Sequence, residues 1–121
     1  MLISIKTLCA LIVVQAMFIS VPANAADQDP VVAWEKIDKG VMLIDVRTAE
    51  EFAAGHIKGA INIPYDKIVP ELTKQQLAKD TELVLYCRSG RRSSIAHDSL
   101  LKQGYRNSYN GGGYEVLASH H

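Results

Sequence analysis

Cysteine is scarce in this sequence: two among 121 residues, Cys9 and Cys87. Net charge is absent, with 13 Lys+Arg against 13 Asp+Glu. That balance argues against a nucleic-acid or membrane-surface protein, which would carry an excess of base. Metal-ligand spacing is missing as well. Four histidines scattered around a lone mature cysteine make no zinc pattern, so neither a metal nor an organic cofactor is called for. No internal repeat, low-complexity stretch or second linker interrupts the chain, which excludes a solenoid or a multidomain array. No apolar run is long enough to span a bilayer. The run from Leu8 to Val21 has about 14 residues, where a spanning helix needs about 20.

That run has the three parts of an export signal. Lys6 is the only charged side chain before it, Pro22 breaks it, and Ala23-Asn24-Ala25 places small residues where a signal peptidase reads. Residues 1–25 are therefore expected to be a cleaved signal peptide, residues 26–121 the mature domain, and the location periplasmic, with no stable membrane insertion after cleavage. An uncleaved anchor and a buried first helix are the alternatives; length weighs against the first, and lack of a polar face against the second. About 96 residues would remain, enough for one small domain. Cys9 leaves with the signal, so Cys87 stands alone. A single cysteine cannot form an internal disulfide, and in an oxidising compartment it is exposed to damage unless it is used.

What is present reads as alternating strands and helices. Val41–Val46 is a short apolar run of the kind buried on both faces of a sheet. Thr48 with Glu51 three residues on is a capping box, opening a helix that Gly55 ends. Gly59–Ile63 is a second strand stopped by Pro64, Thr73–Lys79 a helical turn or two, and Glu82–Tyr86 a third strand that delivers Cys87. Ser93–Gln103 is a helix with Ile95, Leu100 and Leu101 as core contacts and Gly104 at C′. Tyr105–Tyr109 is a further strand, Gly111–Gly113 a turn, and Tyr114–Ala118 a last helical piece. This order predicts an α/β domain with a parallel sheet covered on both faces, whose ligands bind beyond the carboxyl ends of the strands. Cys87 is placed there.

The segment Cys87-Arg88-Ser89-Gly90-Arg91-Arg92-Ser93 joins a buried strand to a helix. Three features lower a thiol's pKa in such a place. The helix start offers unpaired N–H groups, the arginines add charge that does not titrate away, and Gly90 lets successive N–H groups converge on one anion. A thiolate so held is a strong nucleophile towards electron-poor sulfur, and an anionic donor such as thiosulfate complements the arginines. The plainer reading is a solvated arginine loop with an incidental cysteine. It accounts poorly for the only mature cysteine, a glycine and three arginines meeting at one strand-to-helix junction.

Here the sequence resembles the rhodanese superfamily. Asp45-Val46-Arg47, Glu51-Phe52, Gly55-His56-Ile57, Gly59-Ala60 and Asn62-Ile63-Pro64 are similar to its first signature. Tyr86–Ser93, Gly104-Tyr105 and Gly112-Gly113 are similar to the rest. The sequence departs from the commonest pattern near its end, where the aromatic often placed after the glycines is Tyr114 or absent, a departure that bears on the packing of the last helix and not on the chemistry. Cys-Arg-x-Gly-x-Arg is the form of thiosulfate sulfurtransferases, and small secreted single-domain rhodaneses of the phage-shock protein E type are similar throughout the mature chain. The resemblance implies a five-stranded parallel sheet flanked by helices on both faces. It implies a thiosulfate sulfurtransferase that moves sulfane sulfur through a Cys87 persulfide to a thiol, dithiol or cyanide acceptor. The backbone of Arg88, Ser89, Gly90, Arg91, Arg92 and Ser93 would cradle the persulfide, with Arg88 and Arg92 meeting the donor.

Other polar residues have structural readings. Asp45 and Arg47 end a strand, Glu50 and Glu51 sit in a first helical turn where negative charge is favoured, and His56 is a turn residue making a hydrogen bond. His97 is not needed as a base once the thiol is ionised. Two rival functions remain. A cysteine phosphatase or arsenate reductase needs arginine six positions after the cysteine, where this chain has Ser93. A persulfide carrier or stress-related module of low turnover differs only in rate and partner.

Overall fold

The computed structural model describes residues 28–121, so the expected signal peptide lies outside the described residues. The elements run α1 (Pro30–Asp38), β1 (Met42–Asp45), α2 (Ala49–Ala54), β2 (Ile61–Asn62), α3 (Ile68–Lys74), β3 (Leu83–Cys87), α4 (Arg91–Lys102), β4 (Ser108–Gly113) and α5 (Tyr114–Ala118). All pairings are parallel, in the order β2-β1-β3-β4.

β3 lies inside the sheet and every one of its residues is buried. Its side chains alternate between two cores, as strand geometry requires. Leu83, Leu85 and Cys87 face Ile68 and Leu72 of α3 and Ala96 and Leu100 of α4. Val84 and Tyr86 face Ala33 of α1 and Leu117 of α5. Leu43 and Ile44 of β1 divide the same way. Helices thus cover both faces, and the cysteine points into the α3–α4 side.

The sheet has four strands among the described residues, not five. A fifth strand beside β4 would need several ladder bonds there. Among the described residues the one backbone bond there runs from the Gln28 N–H to the Asn110 carbonyl at 2.6 Å, while the Asp29 N–H donates to the Tyr109 hydroxyl at 3.2 Å. The chain then leaves the edge because Asp29 caps a helix, accepting from the Val31 N–H at 2.9 Å, with Pro30 at N1. Asp29-Pro30 is the local signal for α1, a helix absent from the elements expected above.

Other boundaries move for identifiable reasons. α3 covers Ile68–Lys74 rather than Thr73–Lys79, because Pro70 is tolerated in a first turn, where its missing N–H has no intrahelical partner anyway. In α4 the buried positions are Ser93, Ala96 and Leu100, while Ile95 and Leu101 are 39% and 42% exposed. Small residues face the sheet there because α4 starts directly above the cysteine loop. α4 ends as expected. Gly104 is left-handed, and the Gly104 and Tyr105 N–H groups donate to the Leu101 and Leu100 carbonyls, a Schellman closure with Tyr105 packed on the core.

The last strand differs most. Tyr105 belongs to that closure, and β4 runs through the three glycines expected to form a turn. Leu85 pairs with Asn110 but Cys87 with Gly113, so β4 holds an extra residue there, a bulge beside the cysteine. Gly112 takes the left-handed φ of +88°. A Cβ on Gly111 would stand 3.0 Å from the Leu85 carbonyl oxygen, and one on Gly113 only 2.7 Å from that of Arg88. Gly111 and Gly113 therefore serve close backbone approach, not a turn.

Candidate active site

Cys87 ends β3 and is 1% exposed. The chain then turns so tightly that the Gly90 N–H donates back to Cys87 Sγ over 3.0 Å. Gly90 has φ +94° and is the N-cap of α4, without a side-chain cap. The orphan N–H groups at a helix start need an acceptor, and here the sulfur lies among them. The Ser93 hydroxyl is 3.4 Å from the same sulfur. Burial pushes the Cys87 thiol up, but the Ser93 hydroxyl and the N–H groups of Ser93, Ser89 and Gly90 outweigh it and hold the thiol below its ordinary range. A backbone N–H and one hydroxyl thus converge on the sulfur.

The three arginines do different things. Arg88 and Arg91 are exposed. Arg92 is half-buried and makes a two-pronged pair with Glu51, Nη1 to Oε1 at 2.7 Å and Nη2 to Oε2 at 2.9 Å. Glu51 also closes the expected capping box with Thr48. The Arg92 hydrogen bonds hold its carboxyl down at about 2. Of the loop residues, Arg88 and Ser89 line a cleft of about 500 Å³, together with Arg47, Glu51, Ala54, Gly55, Tyr114 and Glu115.

Two residues shape that cleft from behind. Asp45 is fully buried and accepts from the Arg47 N–H, Nε and Nη2 at 2.9, 3.0 and 2.7 Å. Arg47 Nη2 also donates to the Gly55 carbonyl at 2.7 Å, and its guanidinium lies 4.5 Å from the Tyr114 ring centre. Tyr114, the aromatic after the glycines, thus completes the cleft wall.

Asn110 is the residue that sequence reading missed. It is buried, and its Oδ1 accepts from Ser93 Oγ at 2.7 Å and from the Gly112 N–H at 2.9 Å, while Nδ2 donates to the Gly90 carbonyl at 3.1 Å. It ties the β4 bulge to Gly90 and Ser93, where the cysteine turn runs into α4. An asparagine directly before three glycines was the available signal. The histidines stay structural: His56 bonds the Phe52 carbonyl at 2.9 Å and stacks on the Phe52 ring, and His97 meets Ser108 Oγ at 2.6 Å.

Comparison with known families matches residues 29–120 to the rhodanese-like domain. The chain belongs to that family. The rhodanese-like domain is 41% identical over 81 residues to a putative mitochondrial thiosulfate sulfurtransferase of Schizosaccharomyces pombe, covering 58% of this chain and 57% of that protein. It is 35% identical over 75 residues to thiosulfate sulfurtransferase PspE of Escherichia coli, covering 62% and 72%. The chain therefore spans little more than half the length of the first relative. Among solved structures, the human single-domain sulfurtransferase TSTD1 superposes with a TM-score of 0.62 at 29% identity, covering 76% of this chain and 93% of that one. A rhodanese with anions from E. coli gives 0.60 at 34%, covering 64% and 91%. Sulfurtransferase names thus accompany both the sequence relatives and the fold.

Proposed function

We propose that this protein is a sulfurtransferase taking sulfane sulfur from thiosulfate or a similar anionic donor, holding it as a Cys87 persulfide, and passing it to a thiol, dithiol or cyanide acceptor. The observation that carries this reading is the sulfur of Cys87 lying under the Gly90 N–H and the Ser93 hydroxyl at the start of α4. The thiolate attacks the outer sulfur of thiosulfate, the S–S bond of the donor breaks, and sulfite leaves with the electron pair. The outer sulfur of the persulfide then carries the negative charge, and the same N–H groups receive it. Arg88, exposed on the cleft wall, meets the donor. Arg92 acts from behind Glu51.

The loop supports sulfur transfer over phosphate chemistry. The position six beyond the cysteine is Ser93, whose hydroxyl is directed at the sulfur, and Arg92 is committed to Glu51. By the same reading residues 1–25 are removed on export and the mature domain works in the periplasm, as in the phage-shock protein E type.

The test is the intact mass after exposure to thiosulfate. One added sulfur, removed again by cyanide or a dithiol, is expected of the wild type. Cys87→Ser should neither load nor turn over, because a serine hydroxyl is not ionised there and holds no sulfane sulfur. Substantial sulfur transfer by Cys87→Ser would sink the mechanism.

A further inference from the structure

Ser93 and Asn110 are both buried, and the Ser93 hydroxyl has one proton for three acceptors among the described residues. These are Asn110 Oδ1 at 2.7 Å, the Gly90 carbonyl at 3.1 Å and Cys87 Sγ at 3.4 Å. The amide cannot turn over. Its Oδ1 accepts from the Gly112 N–H and its Nδ2 donates to the Gly90 carbonyl, so a flip would set donor on donor and acceptor on acceptor. Asn110 therefore offers Ser93 an acceptor whatever the state of the sulfur. A thiolate draws the proton more strongly than a neutral amide oxygen does. A sulfur already bonded to a second sulfur is a weak acceptor, and the proton then belongs to Asn110.

We propose that Asn110 is a positioning residue that keeps the Ser93 hydroxyl poised against Cys87 Sγ, ready to donate whenever negative charge falls on that sulfur. This deepens the sulfur-transfer reading and rests on it for the persulfide. In the loaded state the charge sits on the outer sulfur, and the Ser93 proton points to Asn110. Cyanide attacks that outer sulfur, the bond to Cys87 Sγ breaks, its electron pair stays on Sγ, and thiocyanate leaves. Total charge is minus two before and after. As the bond breaks, the hydroxyl turns from Asn110 to the sulfur and meets the returning charge. The contact strengthens only as the leaving thiolate forms, which is what accelerates the step.

The test measures the effect of Ser93→Ala in three backgrounds: wild type, Asn110→Ala and Asn110→Asp. Asn110→Ala removes the acceptor that holds the hydroxyl. Asn110→Asp keeps the shape but supplies a charged acceptor that retains the proton. Either way Ser93 stops serving the sulfur. Arg92, whose charge is felt at Cys87, is the same in every protein compared and cancels, as does any loosening of the β4 bulge. One readout is the rate at which cyanide discharges preloaded persulfide. The other is the pH midpoint for alkylation of Cys87 by iodoacetamide, which needs a thiolate and no persulfide. In the wild type, Ser93→Ala should slow discharge roughly tenfold, the worth of one charge-assisted hydrogen bond, and raise the midpoint. In either Asn110 variant it should slow discharge by roughly twofold or less, the mark of two residues acting as one, and leave the midpoint nearly unmoved. If one Asn110 variant fails to fold, the other carries the comparison. A tenfold effect that persists in a folded Asn110 variant overturns the proposal, because Asn110 would then act through the backbone alone. So does a Ser93→Ala substitution without effect in the wild type. If the midpoints show the coupling while the wild type neither loads sulfur from thiosulfate nor yields it to cyanide, the hold of Asn110 on Ser93 stands and the sulfur-transfer reading fails.

Discussion

Ser93 Oγ lies 3.4 Å from Cys87 Sγ and 2.7 Å from Asn110 Oδ1, so one hydroxyl proton is shared between the reactive sulfur and a buried amide. The Gly90 carbonyl, 3.1 Å from the same oxygen, is a third acceptor. A thiolate is the strongest of these claimants, which is how the hydroxyl favours ionisation.

Ser93→Ala removes that donor and leaves burial, which pushes the thiol up, less opposed. The pH midpoint for alkylation of Cys87 should move upward. Loading from thiosulfate at neutral pH should slow by roughly tenfold, the worth of one charge-assisted hydrogen bond. In the wild type, loading should persist below the ~8.5 of a free thiol and fade as pH falls further, because the thiolate is the reacting form. A midpoint unmoved by Ser93→Ala would leave the backbone N–H groups as sole stabilisers.

Gly113→Ala should damage the site without touching its chemistry. Gly113 has φ −93°, which alanine adopts freely, but the new Cβ would stand 2.7 Å from the Arg88 carbonyl oxygen. Backbone must move, and the backbone concerned is the cysteine turn. Urea unfolding should show a loss of about 1–3 kcal/mol, the usual range for overpacking, together with slower alkylation of Cys87. Wild-type stability and reactivity would show that the bulge of β4 yields instead.

Arg47→Met keeps much of the apolar stem and strips Asp45 of its partner. Asp45 is fully buried and would be left as an uncompensated carboxylate. Breaking such a pair from one side costs about 3–5 kcal/mol, read as a lower urea midpoint. Loss of the contact to the Gly55 carbonyl should also loosen the cleft wall.

Exported protein should begin at Ala26. N-terminal sequencing or intact mass that still shows residues 1–25 would reject cleavage and favour a membrane-attached form.

Much of this was legible in the residues. The alternation of short apolar runs with capped helices is local, and locality is what propensity and periodicity report. The Thr48–Glu51 capping box, the Gly104 closure and the placing of Cys87 at the end of a buried strand all follow from neighbours in sequence. So does the activated loop, because a glycine and a helix start directly after a cysteine bring N–H groups to it whatever the rest of the fold does.

Tertiary structure decided what depends on distant chain. Nothing near Arg92 in sequence names its partner, and it is α2 that brings Glu51 to it from 41 residues away. Asn110 has its place before three glycines as a local signal, but its partners are set only when parallel pairing lays β4 beside β3 and the bulge turns its amide onto Ser93 and Gly90. The three glycines read as a turn because turns are the local use of glycine. Their actual use at positions 111 and 113 is to let one backbone pass close to another, a steric demand that exists only once the sheet is assembled. A chain alone states which groups it carries. Packing determines which of them are already answered before a substrate arrives.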